Sequence, residues 1–271
     1  MNVYKWLWFS GLFLLLHTPA LAQMKGWEAG GWLGISNYFG DLNTNFRFNR
    51  TSWSAGAGAR YNFNDRLALK MAANAGHISA FDSDSDNAFE LRRNLSFESM
   101  VVDLSAQFEF NFLPYTHGHR ENLFTPYLFG GPAVFFFNPQ AELDGETYNL
   151  REYGTEGQFK GEEYNTTQAA LVYGFGFKTD LSYRLSLNIE LSARKIFTDY
   201  LDDVSGVYAD IRDIESQRGE IAARLADRSV EPMIGEPGRQ RGNGKTNDTY
   251  VFLQAGVMYY FGQIRCPSYS K

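Results

Sequence analysis

A chain of 271 residues with 31 acidic and 25 basic side chains carries a net charge of −6 and an isoelectric point near 5.3, which provides no basic footprint for a phosphate backbone and argues against nucleic acid as a partner. Aromatic residues make up 16% of it, yet the mean hydropathy is −0.35. That is too polar for a bundle of membrane-spanning helices and suits a barrel in which half of every strand faces a polar interior.

The N-terminus bears on the compartment. Lys5 opens a short positive stretch, Trp6 to Leu16 is apolar, and Ala20-Leu21-Ala22 supplies the small residues that a signal peptidase requires. The expected signal peptide is residues 1–22, with Gln23 first after cleavage. An uncleaved anchor is the alternative, but the apolar run is too short to cross ~30 Å of hydrocarbon as a helix. No later segment is long and apolar enough to do so, and the mature chain reads as exported, either soluble or a barrel.

Eight alternating segments follow. The first, Lys25 to Tyr38, sets Trp27, Leu33 and Ile35 against Glu28, Trp32 and Ser36. The second, Ser52 to Phe63, ends at an Asn64-Asp65 turn, and the third, Arg66 to Ile78, alternates Leu67, Leu69 and Met71 with Lys70 and Asn74. The fourth has the cleanest pattern: from Met100 to Phe112 every even position is apolar and most odd ones are polar or charged. Leu123 to Phe137 closes on three phenylalanines, followed by an acidic, Gly-rich loop from Asn138 to Thr167. The last three strands are Gln168 to Asp180, Leu185 to Phe197 and Asp248 to Phe261, with a helical pattern at Ile211, Ile214, Ile221 and Leu225 between the seventh and eighth.

Connections after strands two, four and six are shorter than those after one, three, five and seven. Short periplasmic turns and long outer loops are the asymmetry of an outer-membrane barrel. The expected fold is therefore all-β: an eight-stranded antiparallel up-and-down transmembrane β-barrel over residues 23–261, with a short helix in the last long extracellular loop, a periplasmic tail at 262–271 and both termini in the periplasm. A soluble hairpin-rich protein is the competing reading. Strand lengths and aromatics near strand ends, namely Trp27, Tyr61, Phe63, Phe110, Phe112, Phe135 to Phe137 and Phe261, argue against it.

Eight strands enclose an interior just wide enough for side chains to fill. Strand parity sends Glu28, Asp103, Glu109 and Glu190 inward together with Arg60, Lys70, Lys178 and Arg194, four acids and four bases. They read as a neutralising network in a lumen that does not conduct; an ion or proton path would need a water column that this strand number does not leave.

Three constellations outside the lumen carry chemistry-bearing residues. Asp82, Asp84, Asp86 and Asn87 resemble the start of a calcium loop, but Asn87 and Arg93 stand where Gly and Glu are required, so a solvated acidic loop is expected. His117 and His119, near Glu121, lack a completing ligand pattern and read as a flexible polar turn. His77 and Ser79, with Glu90 across a loop, resemble the His-x-Ser of lipid-modifying barrel enzymes; a rim histidine is the competing reading. Cys266, flanked by Arg265 and Pro267, is the single cysteine, and an odd cysteine in an oxidising compartment points to an intermolecular disulfide or a free thiol.

Gly34 to Leu42, Arg92 to Ser99, Glu109 to Phe112, Thr155 to Gln158, Asp199 to Asp210 and Arg241 to Asn243 resemble the PorG-like outer-membrane barrels of the type IX secretion system, with DYLDDVSGVYAD the most specific stretch. It contains Asp199, Tyr200, Asp202, Asp203 and Tyr208. The resemblance implies a non-catalytic barrel without cofactors in the outer membrane of a Gram-negative cell. Its implied partner is a periplasmic ring built by a PorK-like lipoprotein and a PorN-like protein, and Cys266 is a candidate for a covalent link to that ring. A lipid-modifying enzyme or a surface ligand-binding barrel are the other functions considered.

Overall fold

The structure, a computed structural model, describes residues 26–263 except 120 and 231. The expected signal peptide at 1–22 and the tail residues Arg265, Cys266 and Pro267 lie outside the described residues. Nine strands form in chain order: β1 (Gly26–Phe39), β2 (Ser52–Asn62), β3 (Leu67–Phe81), β4 (Ser96–Asn111), β5 (Phe124–Leu143), β6 (Glu146–Asn149), β7 (Thr167–Asp180), β8 (Leu185–Ile196) and β9 (Thr249–Tyr260). Eight of them close into an antiparallel barrel, in which neighbours around the wall are consecutive in the chain except for β5 and β7, between which β6 intervenes, and for the closing pair β1 and β9. β6 pairs only with the far end of β5, from Gln140↔Asn149 to Leu143↔Glu146. β5 thus runs 20 residues and rises as a hairpin out of what the sequence suggested was irregular loop.

Alternation dictates what each wall position meets. Leu33, Met71, Leu104, Phe108, Val134, Phe175 and Val257 point outward and are exposed, giving an apolar outer surface that hydrocarbon covers. No helix among the described residues is long and apolar enough to cross a membrane, so any crossing is made by the eight wall strands, each long enough for the ~9–11 residues a tilted strand needs. The Phe135 to Phe137 run does not act as one aromatic girdle. Phe136 is exposed, whereas Phe135 and Phe137 are buried inside the barrel, because consecutive strand residues cannot share a face.

The interior is layered along the axis. Most charged side chains fill the half nearest the short turns, with Asp103 and Arg194 in register with Phe135 and Tyr250, and Ile78, Phe97, Val101, Phe135, Phe137, Val172, Ile196 and Tyr250 fill the half nearest the long loops. Above them the loops carry four short helices: α1 (Ala88–Arg93), α2 (Leu150–Tyr153), α3 (Ile211–Arg218) and α4 (Glu220–Ala226). The single helical face expected at Ile211, Ile214, Ile221 and Leu225 is broken at Gly219, whose φ of 92° is outside helical space. Ile214 and Leu225 are buried, but the break turns Ile221 to solvent.

Candidate functional site

Parity places the eight lumen charges on facing strands, and the barrel's narrow bore brings them into contact. Arg60 is the hub. Its Nη1 donates to Glu28 Oε2 at 3.0 Å, its Nε lies 2.8 Å from Glu109 Oε2, and its Nη2 donates to Asn188 at 3.0 Å. Lys178 Nζ donates to the same Glu109 oxygen at 3.1 Å. Lys70 Nζ donates to both oxygens of Glu190, at 2.6 and 2.7 Å, and the Tyr127 hydroxyl donates to Glu190 at 2.5 Å. One layer higher, Arg194 Nε donates to Asp103 Oδ2 at 3.0 Å, and Asn74, itself holding the Trp32 indole N–H, donates to Asp103 Oδ1. Isolated charges would cost several kcal/mol each in such a place; four acids against four bases, with amides and a phenol on the remaining lone pairs, offset that cost.

The short-turn mouth is closed by a residue that the sequence reading placed in a polar turn. The connection after β4 folds back so that His117 is buried, its Nε2 3.1 Å from Glu28 Oε1 and its Nδ1 2.9 Å from Asp180 Oδ1. Its ring stacks on Tyr260, and the Tyr115 hydroxyl and the Gly118 N–H both donate to Asp180. Burial alone would push the imidazole down, but the two carboxylates carry it up to about 9, so it is a cation at neutral pH. The only sequence signal was a histidine beside an aromatic in a turn otherwise long for its end of the barrel.

At the other end, the stretches that carried the resemblance, apart from Glu109 to Phe112, come together from four loops. Arg93, at the C-terminus of α1, forms a two-pronged pair with Asp82 at 2.8 and 2.7 Å and donates to the carbonyls of Asp41 and Arg241. Arg241 in turn donates to the Asp203 carbonyl at 2.6 Å and to Glu156 Oε1 at 3.0 Å. Glu156 accepts from the backbone N–H groups of Ser205 and Gly206. Asp203, in the left-handed region at φ 64°, accepts from the hydroxyls of Thr155 and Tyr164, and Tyr164 stacks on Tyr200 at 4.8 Å. Tyr208 is buried nearby.

Beneath this cap lies a pair of buried acids sharing one phenol. The Tyr38 hydroxyl lies 2.5 Å from Asp202 Oδ2 and 2.8 Å from Asp248 Oδ1. One hydroxyl hydrogen satisfies only one of them, so the other contact requires a proton on a carboxyl group. Burial pushes both acids well above the usual carboxylate range, helped at Asp202 by repulsion from Asp248 and Asp41 and at Asp248 by repulsion from Asp199 and Asp41. Asp199 is pushed up to about 7 by burial and by Asp41, and Asp203 to about 6 by burial against the pull of Arg241. A side chain at Gly40 would place its Cβ 1.9 Å from Asp248 Oδ1, so only glycine lets the first loop close over the pair.

The remaining candidates are dispersed. His77 does not meet Ser79 in a hydrogen bond. Its Nδ1 lies 3.2 Å from Ser52 Oγ and its Nε2 3.6 Å from the exposed Glu98, while Glu90 is engaged by Ser85 and Thr44 inside the cap. The Asp82 to Asn87 stretch is not a solvated acidic loop throughout: Asp82 is fully buried on Arg93, and Asp84 pairs with Arg50 at 2.5 Å. Asn87 caps α1 by accepting from the Phe89 N–H.

No curated protein matches the chain. Among solved structures, Neisserial surface protein A is similar at 11% identity over 87% of this chain and 97% of its own, with a TM-score of 0.45. The Pseudomonas aeruginosa outer membrane protein OprG is similar at 11% identity over 89% and 98%, with a TM-score of 0.42. Ail, the attachment invasion locus protein of Yersinia pestis, solved with a heparin analogue, matches at 9% identity over 88% and 100%, with a TM-score of 0.42. The model of a domain of unknown function, DUF6089, matches residues 6–218, and the chain belongs to that family.

Proposed function

We propose that this chain is a non-catalytic outer-membrane barrel that anchors a protein secretion machine of the type IX kind, with its long loops outside and both termini in the periplasm. The observation that carries this reading is that the barrel is shut throughout: ion pairs fill one half of the lumen, packed aromatics the other, His117 the short-turn mouth and the loop cap the far end. A barrel so filled neither conducts nor holds an internal substrate, which leaves work to its surfaces. The short-turn end and the Cys266 tail would then face a ring of PorK-like and PorN-like proteins, with Arg265 and Pro267 beside the link.

Crosslinking in intact envelopes followed by capture of the barrel is expected to recover a ring lipoprotein; its absence from the captured set would sink the reading. On non-reducing gels a higher-mass band is expected for the wild type and not for Cys266→Ser. The non-catalytic part has its own test. A fluorophosphonate probe is expected to label neither Ser52 nor Ser79, and labelling that disappears in His77→Ala would favour a lipid-modifying enzyme instead.

A further inference from the structure

The cap carries an open cleft of about 500 Å³ between the first, second and last long loops, within the range of small-ligand sites. Its walls are fixed. Asp41 Oδ2 accepts from the Asn243 N–H at 2.8 Å, Glu90 accepts from the Ser85 and Thr44 hydroxyls, and Arg93 spends its donors on Asp82 and two carbonyls. One cation on the lining is uncommitted: Arg239 is exposed, has no ion pair among the described residues, and lies over the Phe89 ring at 6.0 Å. The Gln240 side chain, also exposed, adds an amide.

This lining selects for a particular chemistry. A ligand whose negative charges are crowded together, as in phosphate, is repelled by Asp41 and Glu90, and a purely apolar one gives Arg239 and Gln240 no partner. A saccharide with a single carboxylate and several hydroxyls on each ring answers the groups that remain open. Its carboxylate takes the fork of Arg239, a hydroxyl donates to the Asp41 oxygen that the Asn243 N–H leaves free, and the Gln240 amide meets a hydroxyl or ring oxygen. We propose that the cleft binds a carboxylated sugar, a uronic acid unit of a saccharide. The proposal is independent of the secretion role and needs only the folded barrel.

The test is titration calorimetry of the full chain in detergent micelles, with trigalacturonate as probe and maltotriose, a glutamate-rich peptide and inorganic phosphate as comparators. Trigalacturonate is expected to bind with a dissociation constant below about 1 mM, and the comparators at least tenfold more weakly. Arg239→Ala is expected to weaken trigalacturonate at least tenfold, while Lys160→Ala, an exposed cation outside the cleft, leaves it unchanged. Because Arg239 is exposed, its loss leaves the cap intact, which an unchanged thermal unfolding midpoint checks. No binding of trigalacturonate at 10 mM, equal binding of the peptide or phosphate, or equal binding by Arg239→Ala would each overturn the proposal.

Discussion

His117 Nε2 stands 3.1 Å from Glu28 Oε1, so a turn at the short-turn end and the first barrel strand are joined by an ion pair inside the mouth of the barrel. The histidine also touches Asp180 and is carried up to about 9 from an unfolded value near 6.5. A raised value in the folded state means that folding takes up a proton. The stabilisation is full below about pH 6.5, declines between 6.5 and 9, and is gone above, with a size on the order of 3 kcal/mol. The thermal midpoint in detergent is expected to fall between pH 7 and 10 in the wild type. His117→Gln should start lower at pH 7 and lose less across the same window.

How much of this was legible depends on what fixes each residue's direction. Glu109 and Lys178 could be assigned inward from sequence because strand parity alone decides the face, and the 69-residue separation is irrelevant once both point into a narrow bore. Arg93 and Arg241 could not be paired in the same way. They sit in loops without periodicity, and the hydrogen bond between them spans 148 residues. The short stretches that carried the resemblance marked these positions without saying that they meet. His117 was missed because nothing local distinguishes a turn that hangs into solvent from one that folds back into a mouth lined by carboxylates.

Arg60 faces Glu28, Glu109 and Glu190 at once. Replacing it by Met removes the shared counter-charge and strands carboxylates in a space without water, which costs about 3–5 kcal/mol. Arg60→Lys retains the charge but loses the fork that spans two carboxylates, so its loss should be smaller. Urea unfolding from lipid vesicles measures both. Equal midpoints for Arg60→Met and wild type would show that the lumen charges are not coupled as their distances imply.

The acids beneath the cap set a second pH dependence. With Asp203 up to about 6 and Asp199 up to about 7, the folded cap binds more protons than the unfolded loops, so its stability is full below about pH 4 and declines as pH rises through 6 to 7. Amide exchange over residues 199–210 is expected to be slower at pH 5 than at pH 8 after correction for intrinsic rates. Asp202→Asn imitates the protonated acid beside Tyr38 and removes its repulsion with Asp248. It should protect the cap at pH 8 and flatten the dependence; faster exchange in this variant at pH 8 would contradict the shared proton.

Arg241 ties the Asp203 carbonyl, Glu156 and the Ala226 carbonyl together while its own carbonyl holds Arg93. Arg241→Met keeps much of the buried volume but leaves Glu156 as an unpaired buried carboxylate, a loss of about 3–5 kcal/mol confined to the loops. The barrel wall has its own ladder and needs none of these contacts. Chymotrypsin is therefore expected to cut the variant after Tyr200 or Tyr208 at least tenfold faster than the wild type, while its heat-modifiable migration on gels stays unchanged. If the wall and the cap melted together in this variant, the cap would have to be counted as part of the barrel's own fold.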